Sequence, residues 1–304
     1  MTTQPHAEPA QRGCDLCGAA AARELYTAPD RLGNSSQRFS IARCEGCGVL
    51  RTLPEMDFAE LARFYPQDYW GEAGVTQEWI RSSQSEKTAF VDACGLEGGR
   101  ILDVGCGSGL FLRALSADHW DRFGVETGGP AASSAAQALG REKIFNGTLL
   151  DARFGGSFFD AATFWSALEH TNQPRADLVE ARRVLRPGGA LIVQVPNAGS
   201  YQARWFGGRW FALDAPRHRY HFTRDRLETL LTETGFSIFR VTLFSKAHNA
   251  HALRQSLKSR LRFETGSTGG RALFYLAIPF IKPFDLTMTA LGYGATLTIA
   301  ARAI

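Results

Sequence analysis

An α/β fold organised around a mostly parallel sheet is predicted by two features of the chain, and a third places a small metal-bound unit ahead of it. From Arg100 onward, short apolar runs alternate with helical patterns, the mark of successive β-α-β units. The segment Leu102-Asp103-Val104-Gly105-Cys106-Gly107-Ser108-Gly109 sits where one such run hands over to a helix. Two matching knuckles, Cys14-Asp15-Leu16-Cys17-Gly18 and Cys44-Glu45-Gly46-Cys47-Gly48, precede it.

The elements read in order as follows. Residues 1–11 form a polar, loose tail, and 12–55 form the cysteine unit. Helices at Phe58–Phe64 and Gln77–Cys94 make a linker or lid over 56–97. The main domain, 98–304, carries strands at Arg100–Val104, Arg122–Glu126, Lys143–Phe145, Asp160–Phe164 and Ala190–Val195. Helices fall between them at Leu110–Ala117, Gly129–Leu139 and Arg175–Leu185, and Arg186-Pro187-Gly188-Gly189 reads as a turn before the fifth strand. A long aromatic and basic loop follows Val195. A helix at Asp225–Thr234 comes next, N-capped by Thr223, with strands at Phe236–Phe244 and Gly294–Ala301. Between those two strands lies a mainly helical insertion, about 245–291.

The 304 residues suffice for one large domain with an appendage. A chain 44% hydrophobic and 21% charged can bury a sizeable core, which excludes disordered, collagen-like and coiled-coil classes. No basic stretch followed by an apolar run opens the chain, so no secretory leader is expected. The longest uncharged apolar stretch near the C-terminus, Ala272–Ile281, falls short of the about 20 residues of a spanning helix. A cytoplasmic location is therefore expected. Arg254–Arg262 beside apolar Phe274–Phe284 adds an expectation of peripheral membrane contact through 254–291.

The net charge of +4 conceals an asymmetry: residues 1–200 sum to −5, whereas 201–262 sum to +8. An anionic partner is expected to meet that late segment. Of the six cysteines, four lie on the knuckles, separated by 26 residues, and Cys94 and Cys106 stand alone. Four thiolates on two knuckles suit a closed tetrahedral site, Cys14, Cys17, Cys44 and Cys47, and hence a structural Zn2+; a rubredoxin-like iron site reads almost identically.

Glycines at 105, 107 and 109 permit a tight turn and close approach of a ligand to the backbone. The GxGxG spacing fails the dinucleotide fingerprint, because position 110 is Leu, and no Gly-Lys-Ser/Thr follows for a P-loop. Glu126 ends the next strand, where an acid can accept both hydroxyls of a ribose. Phe159-Asp160, Leu168-Glu169-His170, Val184–Gly189 and Val195-Pro196-Asn197 follow in order. Together these residues resemble the class I S-adenosylmethionine (SAM)-dependent methyltransferases over about 90–245 plus the final strand. The resemblance implies a Rossmann-like, mostly parallel seven-stranded sheet with its last strand antiparallel. It also implies that Asp103 and the backbone of Gly105, Cys106 and Gly107 hold the methionine end of SAM, and that Glu126 binds the ribose. By the same resemblance Thr148 and Leu149 lie beside adenine, and Trp165 and His170 face the sulfonium and the acceptor. The family often has an acid at the adenine; here Asp151 comes slightly later.

The loop Asp214–Thr223 leaves the carboxyl end of the fifth strand, where parallel sheets bind ligands, and is similar to the His-containing loop of ubiquinone-type small-molecule methyltransferases. His218 or His221 is the candidate base for an acceptor hydroxyl. The expected activity is methyl transfer from SAM to a small or carrier-linked acceptor, anionic in view of the basic segment. A zinc unit joined to such a domain also resembles bacterial sugar- and polysaccharide-modifying enzymes, which points to a sugar nucleotide, glycan or lipid-linked acceptor. The alternatives are a zinc-containing RNA methyltransferase and a non-catalytic SAM-fold binding protein. Against nucleic acid, the cysteine unit is not densely cationic: Arg12, Arg23, Arg31, Arg38 and Arg43, with Arg51 just beyond, face four acids over 12–50. No DNA partner is expected.

Overall fold

The computed structural model describes residues 13–33, 35–65, 77–261 and 268–304. The tail expected over 1–11, part of the linker (66–76) and the centre of the insertion (262–267) lie outside the described residues. The cysteine unit is an antiparallel sheet of β1 (Ala22–Pro29), β2 (Arg38–Cys44) and β3 (Leu50–Leu53). Helix α1 (Phe58–Ala62) follows. Its N-cap Asp57 accepts from the Glu60 amide while Glu60 accepts from the Asp57 amide, both at 2.8 Å.

Helix α2 (Gln77–Ala93) leads into the main domain, which begins with β4 (Gly99–Val104), α3 (Leu110–Ala114), β5 (Trp120–Glu126) and α4 (Gly129–Leu139). It continues through β6 (Ile144–Asn146), α5 (Leu149–Ala152), β7 (Phe159–Trp165), α6 (Pro174–Val184) and β8 (Leu185–Pro196). Then come α7 (Tyr201–Phe206), β9 (Tyr220–His221), α8 (Arg224–Glu233) and β10 (Phe236–Thr242). The insertion helices α9 (Asn249–Arg260) and α10 (Thr268–Ala290) precede β11 (Thr296–Ala303). Seven strands form one sheet in the order β6-β5-β4-β7-β8-β11-β10. All neighbours are parallel except β11, which runs antiparallel to β8 and β10. Ile101 through Val104 are all buried, because helices cover both faces of a central parallel strand. From β4 the chain proceeds outward through β5 and β6, then returns to place β7 on the other side of β4. The crevice at that reversal is where sheets of this kind bind ligands. Gly105 opens it: its φ is 72°, and a Cβ there would meet the Ala167 Cβ at 2.7 Å.

Two local expectations are corrected. Arg186-Pro187-Gly188-Gly189 does not separate helix from strand but bulges within β8. Phe159 pairs with Leu185 and Ala161 with Ala190, so one strand absorbs the extra residues, with Gly188 at φ 75°. The stretch after Val195 is not simply a loop. It holds α7, two 3-10 turns at Gly207–Arg209 and Phe211–Leu213, and β9, which is the fourth strand of the small sheet. Leu50 pairs with His221 and Arg51 with Tyr220. Two residues have no strand signal of their own; they become a strand because β3 lies alongside.

The cysteine unit is thus stitched to the main domain. The Arg175 side chain at the start of α6 donates to the Leu16 carbonyl and its amide donates to Asp15, while Arg226 of α8 donates to the Cys47 carbonyl at 2.6 Å. Thr52 donates its amide to the Arg219 carbonyl and its hydroxyl to the His218 carbonyl. At the centre lies Arg217, whose side chain is wholly buried. It donates to Asp30 at 2.9 Å, to Asp214 at 2.8 Å and to the Phe64 carbonyl at 2.8 Å. Arg217→Leu takes the cation from buried Asp30 and one of two arginines from buried Asp214. It is expected to lower unfolding stability by about 3–5 kcal/mol, read as a lower urea midpoint; a midpoint within error of the parent would contradict this.

Candidate active site

Two cavities adjoin along the carboxyl edge of the sheet and share Gly105, Ser166 and His170. The second, of about 370 Å³, is lined by Glu126, Thr148, Leu149 and Asp151 among others. Glu126 ends β5 and is 2% exposed; its two oxygens accept from the Gly107 amide (2.9 Å) and the Gly128 amide (2.6 Å). Each carboxylate oxygen keeps a further lone pair for an incoming hydroxyl. Burial raises the Glu126 pKa, against which those amides act. Leu149 is buried behind the cavity, and Thr148 is the N-cap of α5, its hydroxyl engaged by Asp151.

The first cavity, of about 490 Å³, is lined by Asp103, Gly105, Cys106, Gly107, Trp165, His170 and His218, together with Lys87, Phe211 and Asp214. Asp103 accepts from the Thr163 hydroxyl at 2.7 Å. Burial pushes its carboxyl up to about 7, with Lys87 of α2 pulling against it. Trp165 packs edge-on against Phe90 and Phe111, so it is both core and cavity wall. Cys106 is buried against Gly124 and reaches only the Gly107 carbonyl. An acid at a strand end, an apolar shelf at Leu149, a second acid at Asp103 and an open glycine turn between them fit an elongated nucleoside cofactor with a cationic amino-acid tail.

In the first cavity, His218 Nδ1 lies 2.9 Å from the Ala212 carbonyl, and His170 Nδ1 lies 3.1 Å from the Arg217 carbonyl. A carbonyl only accepts, so Nδ1 of His218 carries the proton and its Nε2 keeps a bare lone pair, while His170 Nδ1 also lies 3.3 Å from the Tyr65 hydroxyl. The two rings meet edge to face at 4.6 Å. His218 Nε2 stands 3.9 Å from Asp214 and 4.0 Å from Glu169. Burial lowers His218 well below its ordinary value and takes His170 to about 4. Glu169 is 1% exposed, neither of its oxygens has a hydrogen-bond partner, and burial pushes it up to about 8. Glu169, His170 and His218 each offer a ligand atom within 4.8 Å of the others.

His221, by contrast, lines neither cavity. It is buried in the small sheet, with Nε2 2.9 Å from the Thr52 hydroxyl. The basic excess over 201–262 is divided: Arg217 and Arg219 are buried and Arg226 is half-buried, whereas Arg204, Arg209, Arg224, Arg240, Lys246, Arg254 and Arg260 are exposed. Arg217 is enclosed by acids, Arg226 serves the Cys47 carbonyl, Arg240 the Ala93 carbonyl, and Arg224 pairs with Glu228. The cations on the first cavity are Arg31, from the cysteine unit, and Lys87. Sequence reasoning passed over both, and Asp214 and Glu169 with them. Glu169 was signalled by its place beside His170, and Asp214 by lying four residues before His218; Lys87 and Arg31 sit in no motif.

The four knuckle thiols converge. Cys14 and Cys47 sulfurs lie 3.7 Å apart, Cys17 and Cys44 sulfurs 3.5 Å apart, and all four are within 4.8 Å of one another. A tetrahedral Zn2+ with bonds of about 2.3 Å sets its sulfurs about 3.8 Å apart, so the donor set fits that ion without rearrangement. A site closed by four protein ligands has a structural role.

The family described as "Methyltransferase domain" matches residues 77–241, more than half of the chain. The chain is 30% identical over 201 residues to the ubiquinone biosynthesis O-methyltransferase of Maricaulis maris, an alignment covering 61% of this chain and 74% of that protein. Among solved structures, phosphoethanolamine N-methyltransferase 2 of Haemonchus contortus in complex with SAM superposes with a TM-score of 0.51 at 16% identity, over 84% of this chain and 61% of that one. The [4+2]-cyclase SpnF superposes with a TM-score of 0.51 at 19% identity, over 72% of this chain and 80% of that one. At such identities the structures establish likeness of fold alone, and a fold hosts more than one chemistry; the family match is what carries the assignment. With its seven-stranded sheet, its glycine turn and its acid at the end of β5, the chain belongs to the methyltransferase-domain family and is a class I SAM-dependent methyltransferase.

Proposed function

We propose that this enzyme transfers the methyl group of SAM to an oxygen of a small or carrier-linked acceptor, with His218 taking the proton and Arg31 meeting negative charge on the acceptor. The observation that carries this reading is the orientation of His218: Nδ1–H is fixed on the Ala212 carbonyl, so the bare Nε2 is directed toward Asp214 and Glu169 in the cavity that also contains Asp103. SAM supplies an electrophilic methyl group on a sulfonium. Asp103 and the backbone of Gly105, Cys106 and Gly107 place its amino-acid end, Glu126 its ribose, and Thr148 and Leu149 its adenine. Trp165 and His170 then border the reacting centre. In-line displacement chiefly requires alignment and exclusion of water. With its pKa depressed, His218 is neutral at physiological pH and free to accept a proton. The imidazolium that forms is held by Asp214, which Arg31 and Arg217 keep ionised.

The O-methyltransferase relative supports oxygen as the methylated atom. An anionic sugar nucleotide, glycan or lipid-linked compound fits Arg31 as a counter-charge. The RNA reading is weaker, since Arg175 and Arg226 beside the knuckles serve backbone carbonyls; a non-catalytic scaffold would have no use for an oriented base. Glu169 favours one further reading of how the acceptor is activated. A divalent cation held by Glu169, His170 and His218 would bind the acceptor oxygen directly and lower its pKa.

SAM affinity measured by calorimetry is expected to fall about 10- to 100-fold in Asp103→Ala and in Glu126→Ala; unchanged affinity in both would contradict the cofactor assignment. For His218→Asn, kcat should drop about 100-fold or more while SAM affinity stays within about twofold. An unaltered kcat rules His218 out. Rapid chelation separates the two modes of activation: turnover lost, then restored by a transition-metal ion such as Fe2+ or Co2+ with the zinc content intact, favours the cation, and indifference favours the free base. Elemental analysis of the purified chain should give about one zinc, abolished by Cys14→Ser/Cys44→Ser; iron, or no metal in a folded and reduced sample, would overturn the zinc assignment.

A further inference from the structure

Helix α10 buries Phe274, Ile281 and Asp285 along one side, Asp285 accepting from the Tyr201 hydroxyl at 2.9 Å. The opposite side faces solvent and is apolar. Leu276 and Phe280 are each 69% exposed, and Leu273, Tyr275, Leu286 and the following Leu291 are also exposed. Residues 272–291 contain only two charged side chains, the exposed Lys282 and the buried Asp285. Scattered apolar residues on a surface need no explanation, but a contiguous patch of this kind marks a contact.

The patch continues into an apolar groove of about 480 Å³ between α7, α9 and α10, lined by Trp205, Leu253, Leu257 and Phe284 with Arg260 as its cation. Trp205 is 60% exposed and stacks on Phe284 at 5.4 Å. Basic groups border the patch and are anchored to it. Arg260 donates to the Trp205 carbonyl, Arg204 stands over the Tyr293 ring and Lys282 belongs to α10 itself, while half-buried Lys258 stands over the Phe274 ring on the other side of the helix. No helix among the described residues is long and apolar enough to cross a membrane.

We infer that this face docks on the surface of an anionic lipid bilayer, with the exposed side of α10 and Trp205 at the headgroup–acyl boundary and the bordering cations on lipid phosphates. Apolar side chains flanked by basic ones, on a helix that does not span, are the composition of an interfacial element. A twofold contact between copies of the chain accounts for the apolar residues but sets Arg204, Arg260 and Lys282 against themselves, which anionic lipid does not. The placement has a consequence for turnover. Helix α9 presents His248, His251 and Ala252 to the first cavity and Leu253 and Leu257 to the groove, so a bilayer-borne acceptor arrives one helix away from the reacting centre. Docking itself does not depend on which acceptor is methylated.

The test is flotation of the purified full chain with vesicles of phosphatidylcholine alone and of phosphatidylcholine with about one-third phosphatidylglycerol. Binding should be about tenfold stronger to the anionic vesicles and should weaken with salt. Leu276→Ser/Phe280→Ser and Arg260→Glu/Lys282→Glu should each reduce it about tenfold. All three proteins should keep the same SAM affinity, which shows that the variants are folded and separates a failure of docking from a failure of the cofactor assignment. A parent that stays soluble with both vesicles would overturn the inference. So would a dimer, seen by sedimentation, that Leu276→Ser/Phe280→Ser splits while vesicle binding is absent.

Discussion

The Arg217 guanidinium has no contact with water, yet it remains charged between Asp30 and Asp214. A cation so enclosed is tolerated only if oxygens satisfy it on every side, because desolvation otherwise outweighs attraction. Here the oxygens come from three places in the sequence: Asp30 in the cysteine unit, Phe64 after α1, and Asp214 and Ala215 in the loop itself. None of these segments can move without exposing the charge, so the loop has one path. His218 is the next residue, and the pairing of Tyr220 and His221 with β3 fixes the exit. The cysteine unit is therefore part of the wall of the first cavity, to which it contributes Arg31.

The same enclosure explains the electrostatics of the cavity. Asp103 and Glu169 are pushed upward, and His170, His218 and His221 downward, all chiefly by burial. Neutral forms are favoured wherever the surroundings supply no counter-charge. Asp214 is the exception, held low by Arg31 and Arg217 against its burial. One carboxylate stays ionised beside a bare imidazole nitrogen, while a second, Glu169, is pushed upward by burial and has no hydrogen-bond partner among the described residues. Groups whose environments drive their pKa values apart are what acid–base work requires.

Local features were legible in sequence, and features made by distant segments were not. The glycine turn at Gly105, the knuckle cysteines and the strand–helix alternation each follow from neighbouring residues, and the seven-stranded sheet with its antiparallel last strand was implied by the family resemblance those pieces carry. β9 could not be read, because two residues become a strand only through β3. Gly188 looked like the end of an element, since a glycine that closes a turn and one that bulges a strand have the same letter. The charge of 201–262 pointed to a basic surface, and exposed Arg204, Arg254 and Arg260 supply part of one, but a sum carries no direction: Arg217 and Arg226 turn toward protein oxygens. Lys87 and Arg31 reach the cavity from outside the region where the motifs lie, and only the packing of α2 and of the small sheet reveals them.

The most direct test of this coupling is hydrogen exchange on the full chain before and after zinc removal. Loss of the metal should raise amide exchange in residues 50–53 and equally in 214–223, on the far side of the sequence, while β4, β5 and β7 remain protected. Unchanged protection in 214–223 after the knuckles have opened would show that the acceptor loop stands without the cysteine unit, and would contradict the joint construction of the site.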